Sequence, residues 1–288
     1  RAEWAAQRIQ GLSLARAILN ATSLNKRSTD IKSLIHTFDY PRLGPGQMWE
    51  ACRDLIVKRG HSVLLGHYAA RLVMEHGNVT SVVARHEHGE RAFRTDHVIS
   101  TMPLRTLARN LTPALPADSL AAAEGLAYRD FLVVALMLRR EKLFPDNWLY
   151  IHTPGVKVGR IQNFNNWSAA MVPTPGVTCI GMEYFCFKGD GLWSSSDSDL
   201  AKLAASELVG LGLAREEDVV DARVVRVPKA YPIYDSAYTG HLEKLRQAID
   251  PISNLHTVGR NGMHKYNNQD HSMLTAMMTV DNMLGATH

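Results

Sequence analysis

The spacing of apolar and polar positions changes character several times along the chain, and each change predicts a different element. Residues 3–22 place Trp4, Ile9, Leu12, Leu14, Ile18 and Leu19 at near-helical intervals, and residues 32–37 read as a second helix. Pro41, Gly44, Pro45 and Gly46 then interrupt the chain as a turn. Residues 47–58 read as an amphipathic helix with Met48, Cys52, Leu55 and Ile56 facing inward. From 62 to 100 the pattern becomes that of strands: SVLLG, AARLVMEH, a turn at Gly77-Asn78, VTSVVARH carrying Val79, Val82 and Val83, a turn near Gly89, and FRTDHVIST. This predicts a β-meander.

Residues 104–126 return to helical spacing, after which DFLVVALMLRR is a continuous apolar run of the kind a buried strand shows. NWLYIHTP, KVGRIQNFNNW and VTCIGMEYFC follow, each short, aromatic or β-branched, and bounded by Pro, Gly or Asn. Residues 131–187 therefore predict a mainly antiparallel sheet, with a helix over 198–211 and a further strand over 219–227. In KAYPIYDSAY, Pro232 requires an extended entry and a turn, although Tyr231, Tyr234 and Tyr238 are spaced as on one helix face. The end of the chain gives a short strand at 255–258, a break at Gly259, a polar loop, and helical spacing from about Ser272. The fold class is α+β.

Composition narrows the function more than the fold. With 288 residues and 45% apolar content the chain can bury a full core. The net charge of +4 comes from 32 Lys and Arg dispersed among 28 Asp and Glu, with no basic run, which argues against nucleic acid and suits small anionic substrates. Cys52, Cys179 and Cys186 are odd in number and lack C-x-x-C spacing, so neither a disulfide framework nor a zinc site is expected, and a reducing, cytoplasmic compartment is the default. No apolar run approaches the length of a transmembrane segment. RAEWAAQRIQGL starts in mid-helix character and reads as the start of a fragment or a processed product. His264, Asp270 and His271 show no H-x-x-x-H or Cys/His spacing, and no metal is expected there.

Chemistry concentrates in two places. Arg260, His264, Lys265, Tyr266, Asn267, Asn268, Gln269, Asp270 and His271 crowd into twelve positions between a strand and a helix start, more hydrogen-bonding capacity than a connection needs. A strand passing through a glycine turn into a helix gathers backbone N–H groups and a positive helix end, which suits an anion or an electron-rich ring edge. In GRIQNF, Arg160, Gln162 and Phe164 fall on one side of a strand and could line a cleft. Trp148 and Trp167 fit either a core or a stacking role, and Tyr234 and Tyr238 fit packing.

The stretch Gly259-Arg260 followed by Tyr266 and Asp270, together with VISTMPL, GRIQNF, EYF and YPIYD, resembles UDP-galactopyranose mutase and its relatives in the FAD-dependent amine oxidase and protoporphyrinogen oxidase superfamily. The resemblance runs from about Trp4 to Leu284. It implies part of a GxGxxG-type FAD-binding domain interrupted by an antiparallel-sheet substrate domain: residues 1–60 a helical segment and flavin-proximal loop-helix, 61–103 the meander, 104–230 the substrate domain, and 231–288 the return to the flavin. Cofactor contacts would come from Gly44, Gly46, Ala69, Met102, Pro103, Gly259, Arg260, Gln269, Asp270, His271 and Ser272, with Ala69 meeting adenine through its main chain. Arg260 and Tyr266 would be catalytic, and Arg160, Asn163, Tyr231 and Tyr266 would hold the substrate. The mutases usually carry Glu where this chain has Asn163, and an aromatic where it has His264. In the mutases, the resemblance implies, reduced flavin attacks the anomeric carbon, UDP leaves, and the sugar ring opens and recloses. The alternatives are net oxidation of an amine or porphyrinogen, or a non-catalytic binding module. No G-x-G-x-x-G occurs, so the resemblance places the pyrophosphate-binding section ahead of Arg1 and makes this chain alone catalytically silent; homo-oligomerisation stays open.

Overall fold

The computed structural model describes residues 38–285. The chain divides into two compact units, Arg1–Pro41 and Arg42–His288, and the elements below belong to the second. The helices expected over 3–22 and 32–37 lie outside the described residues.

A turn at 42–45 leads into α1 (Gly46–Lys58). Strands β1 (Tyr68–Glu75), β2 (Asn78–His86) and β3 (Gly89–Arg94) form the expected meander. FRTDHVIST, however, is divided between two sheets, because its second half becomes β4 (Val98–Ser100), which leaves the meander. Next come α2 (Leu104–Asn110), β5 (Leu111–Thr112) and α3 (Ala117–Gly125). Pro113 and Pro116 split the helical stretch expected over 104–126, since neither can supply an N–H to continue a helix. β5 adds a parallel edge to β1, pairing Leu72 with Leu111.

The second sheet follows: β6 (Tyr128–Leu138), β7 (Trp148–Tyr150), β8 (Arg160–Asn163), β9 (Thr178–Cys186), then α4 (Asp197–Gly210) and β10 (Val219–Pro232). The strand order is β10-β6-β9-β8-β7, antiparallel throughout. The chain closes with α5 (Tyr238–Ile249), β11 (Leu255–Thr257), one helical turn at Gly259–Gly262, and α6 (Gln269–Met283). α5 carries no signal that the sequence reading used, and α6 starts three residues earlier than expected.

Two cores hold these layers. In the first, Leu104 and Leu107 of α2, Ala123 of α3 and Leu245 and Ile249 of α5 pack on Leu72 and Val79 of the meander and Leu255 of β11. Buried Asn254 fastens that layer: its Oδ1 accepts the Val79 N–H at 2.8 Å, and its Nδ2 donates to the carbonyls of Val79 at 2.7 Å and Asp96 at 2.8 Å. A buried amide with all these groups satisfied behaves as a further piece of strand. In the second core, Leu200, Ala204 and Leu208 of α4 cover one face of the larger sheet, meeting Leu132, Val134, Ile180 and Met182. β6 alternates strictly between buried and half-buried positions, so its apolar run serves one covered face and one partly open face.

Two apolar stretches differ from their expected roles. α1 buries none of its residues: Met48, Leu55 and Ile56 are 39%, 54% and 36% exposed, and Cys52 is exposed as well. SVLLG forms no strand, and Val63, Leu64 and Leu65 stand exposed. Amphipathic spacing predicts that a face is to be covered, but it does not name what covers it.

Candidate functional site

The face of the larger sheet that α4 leaves uncovered carries the polar residues. On β8, Arg160 and Gln162 point to this face, opposite Glu183 and Gly181 of β9. Glu183 is 1% exposed, and its carboxylate accepts from Arg160 Nε on one oxygen and Gln162 Nε2 on the other. A buried carboxylate is tolerable only when paired in this way. Burial would lower the Arg160 pKa, and the Glu183 hydrogen bond and charge more than reverse this, so the guanidinium sits above its ordinary range. Phe131, Phe185 and Tyr231 extend the face, with the Tyr231 ring 6.0 Å from Phe131 and 5.9 Å from Phe185.

Asn163 does not belong to this group. It follows Gln162 by one residue and so points to the covered side, where it is 2% exposed, donates to the Phe144 carbonyl at 3.3 Å and caps the next turn by accepting the Asn165 N–H. Phe164 begins that turn, but its ring lies against Gly181, on the same face as Arg160 and Gln162 as its spacing predicts.

Arg260 reaches the same region from the helical turn after β11. Its Nε and Nη2 donate to the Asn267 carbonyl at 3.0 and 2.8 Å, and Nη1 donates to Ala230 at 3.0 Å. The guanidinium carbon lies 5.0 Å from the Tyr231 ring centre and 4.9 Å from that of Tyr266, and the two rings stack 5.9 Å apart at 21°. The Tyr266 N–H donates to the Tyr234 hydroxyl, which fixes the loop that carries the ring. Burial raises the Tyr231 pKa, against the opposing pull of Arg160 and Arg260, so its hydroxyl stays a neutral donor at physiological pH. The carbonyls that hold Arg260 are neutral, so its positive charge is not cancelled by its own partners.

The turn is positioned by glycine. β4 and β11 pair in parallel, with Ser100 opposite Thr257, and the Val258 N–H donates to the Ser100 carbonyl at 3.0 Å. A Cβ on Gly262 would stand 2.7 Å from that carbonyl oxygen. Gly259 has φ +74°, a region that favours glycine, and its N–H donates to Thr275 Oγ1 of α6 at 3.1 Å.

At the start of α6, Gln269, Asp270 and His271 are exposed, Ser272 donates its hydroxyl to Asn267 Oδ1 at 2.8 Å, and the Ser272 N–H closes the first helical bond to Asn268. The three preceding amides have no intrahelical acceptor, and with the helix dipole they suit an electron-rich edge. Asp270 pairs with the His271 ring at 3.0 Å, and the His271 N–H, with its own N–H, holds its carboxyl below the usual carboxylate range, so this side chain leans on two of these amides.

The remaining expected cofactor residues lie elsewhere. Gly44 is buried at φ +87° with Met171 3.3 Å from where its Cβ would be, whereas Gly46 has open space around it. The Ala69 carbonyl already accepts the Asn110 side-chain amide at 3.0 Å, so the main-chain pairing expected there is partly used within the chain. Met102 packs on the first core, and the Pro103 carbonyl accepts the Leu107 N–H to start α2.

Sequence reasoning passed over Glu183, and it gave Tyr234 a packing role without the bond its hydroxyl accepts from the Tyr266 N–H. The period-two rule applied to EYF would have placed Glu183 beside Phe185, but nothing in the sequence shows that it faces Arg160 across the strand pair. His264, at the position of the family's aromatic, is 1% exposed and meets Tyr128 edge-on at 5.0 Å, so it fills an aromatic's place in the packing. Among the described residues no group of three or more His, Cys, Asp or Glu side chains could hold a metal ion, and no helix is long and apolar enough to cross a membrane.

The fold is shared with solved structures of longer chains. A reduced UDP-galactopyranose mutase matches with a TM-score of 0.73 at 22% identity, over 86% of this chain and 52% of that one. A putative protoporphyrinogen oxidase from Exiguobacterium sp. 255-15 matches at 0.63 with 14% identity, over 83% and 51%. An oxidoreductase from Methanosarcina mazei matches at 0.55 with 16% identity, over 83% and 54%. The chain thus spans about half the length of these structures. No curated protein matches it in sequence. The family model for flavin containing amine oxidoreductases matches residues 32–268, most of the chain, and the protein belongs to that family of flavin-dependent enzymes.

Proposed function

We propose that this chain is the flavin-capping and substrate-binding portion of an FAD-dependent enzyme acting on an anionic sugar nucleotide, with residues 104–230 as the substrate domain and the segments on either side belonging to the flavin domain. The observation that carries this reading is the Arg260 cluster: an uncancelled guanidinium lodged against two stacked tyrosines, beside Arg160 on an open sheet face. An aromatic pair with two guanidinium groups suits a ligand that joins a ring to a diphosphate. Net oxidation of an amine or porphyrinogen would favour an apolar pocket, and the buried Arg160–Glu183–Gln162 set is a poor floor for one.

The residues present fit part of a flavin site. The first amides of α6 have no helical acceptor and open beside Gly259, and Gln269, Asp270, His271 and Ser272 would hold a ring edge there through the main chain. The flavin, when bound, supplies the redox or nucleophilic chemistry. Arg260 keeps positive charge beside it, Tyr231 and Tyr266 donate hydroxyl hydrogen bonds to the diphosphate, and Glu183 holds Arg160 and Gln162 in fixed orientation. With no G-x-G-x-x-G in the chain, the pyrophosphate cradle comes from a separate dinucleotide-binding section, and the chain alone is silent. The three free cysteines fit a cytoplasmic setting.

The test joins this chain to such a section, records the visible spectrum, and adds UDP-sugars anaerobically with and without dithionite. Sugar isomerisation only after reduction is the expected result. Flavin bleached by a non-sugar substrate would move the reaction to net oxidation, and no flavin at all would leave a binding module.

A further inference from the structure

At one end of the larger sheet, on the side away from Phe131 and Tyr231, Asp130 gathers two lysines. Asp130 is 6% exposed; one carboxylate oxygen accepts the Lys229 N–H at 2.7 Å, and the other accepts the Lys188 N–H. One lysine follows β9 and the other sits in the irregularity of β10 between Val227 and Tyr231. Together with Arg105 of α2 they line a pocket of about 410 Å³ walled by Phe187, Pro228 and Tyr128.

We propose that this pocket is a second anion site, for a phosphoryl group of a small soluble ligand, independent of the Arg260 cluster.

The charges support it. The Asp130 oxygens are taken by main-chain N–H groups, so it positions the two lysines without forming an ion pair with either ammonium group, and its single charge faces those of Lys188, Lys229 and Arg105. Lys229 Nζ donates only to a neutral hydroxyl, Thr106 Oγ1 at 2.8 Å, and neither lysine ion-pairs with a carboxylate among the described residues. Arg105 is held by the carbonyls of Ala123, Glu124 and Leu126, with Glu124 at 3.8 Å as its nearest carboxylate. Burial, followed by Arg105, Arg109 and Lys188, pushes the Lys229 pKa down against the smaller opposing pull of Asp130, so the cations around it outweigh the one buried carboxylate.

The site is also built rather than incidental. Lys229 adopts φ +55°, a strained conformation for a residue with a side chain, and is held there by Asp130 at its N–H and by Asn261, whose Nδ2 donates to its carbonyl at 3.1 Å. Tyr128 is 8% exposed, and its hydroxyl faces the amides of Leu104 and Arg105 without closing a hydrogen bond of ordinary geometry. Compact ammonium groups converging from separate elements suit a phosphoryl group, whose several oxygens can each take one.

Pyrophosphate, titrated calorimetrically into the 288-residue chain, tests the site. Saturable one-to-one binding is expected, with affinity falling about tenfold in the Lys188→Gln/Lys229→Gln variant and recovering in Lys188→Arg/Lys229→Arg. Exposed Lys188 can be replaced alone without touching the core, so Lys188→Gln should weaken binding even if the double variant folds poorly. In the Arg160→Gln background, which removes a guanidinium offered to a diphosphate near the Arg260 cluster, binding should persist with the same dependence on the two lysines. Loss of binding in Arg160→Gln with none in the lysine variants, or heat that never saturates, would overturn the proposal.

Discussion

The guanidinium of Arg260 is held by carbonyls rather than a carboxylate, and that decides how it can be replaced. Lysine preserves the charge but cannot span Ala230 and Asn267 together or set a flat cation beside both rings. Losing two or more of these hydrogen bonds, at about 1 kcal/mol each, predicts that Arg260→Lys destabilises the fold by about 2 kcal/mol in urea unfolding. The near-ultraviolet dichroism of the Tyr231–Tyr266 stack should shrink with it, and an unchanged spectrum would count against the clamp. His264 gives a pH prediction. Burial lowers its pKa, and burial with His97 lowers that of His256, so each binds its proton less readily in the folded chain than in the unfolded one, where histidine titrates near 6.5. Nothing is lost above that value; as pH falls through it the unfolded chain takes up protons first and stability drops. Asp118, Asp190 and Glu124 have lowered pKa values too, but their loss comes in the more acid carboxylate window. The fall in Tm between about pH 7 and 5 is therefore a histidine effect, and His264→Phe, which keeps the edge contact to Tyr128, should flatten it.

At the scale of elements, the strands that cross the larger sheet were legible because a covered face imposes period two, and Val134 or Ile180 cannot slip by one residue without facing water. The same rule places Asn163 on the opposite face from Arg160, yet the resemblance to a family motif had carried it over by position along the chain. Partners across strands are what the linear pattern omits: Glu183 reaches Arg160 only because β8 and β9 pair in one particular register. α5 was missed because its two buried residues, Leu245 and Ile249, are too few to stand out among its charges. Glycines show the same limit. Gly46 and Gly262 look alike in the sequence, but a Cβ on Gly46 meets nothing within 4 Å while one on Gly262 meets the Ser100 carbonyl at 2.7 Å. Gly262→Ala should force β4 away from the Arg260 turn and cost about 2 kcal/mol or more, and Gly46→Ala should be neutral or slightly stabilising in the same thermal unfolding series. Equal effects would mean that the close approach at Ser100 relaxes at little cost. If Gly46→Ala leaves stability intact but weakens flavin retention in the joined protein, the backbone there lies against the cofactor.

At the scale of the whole molecule, apolar surface is distributed in a way the fold's own cores do not explain. α6 runs for fifteen residues and buries none of them; Leu274 is 52% and Met277 60% exposed. α1 presents Trp49, Leu55 and Val57 in the same way, and among the described residues the parallel pair β4–β11 has two strands, where parallel sheets normally have more strands and both faces covered. Leaving such faces in water forgoes about 25 cal/mol for each Å² that could be covered, and contiguous patches of this kind drive association. The 288-residue chain by itself is therefore expected to associate as its concentration rises through the micromolar range, seen as a growing mean mass in sedimentation velocity. Leu274→Glu with Met277→Glu should restore the monomer while shifting Tm by little, because neither side chain contributes to a core and exposed substitutions usually stay within about 0.5 kcal/mol. In the protein joined to a dinucleotide-binding section the same two changes should act in the opposite sense, lowering flavin retention, since a face that is spare in the isolated chain would then be an interface. A wild-type chain that stays monomeric at high concentration would show that these faces are covered from within the chain, and an unchanged flavin content in the joined variant would place that section on another surface.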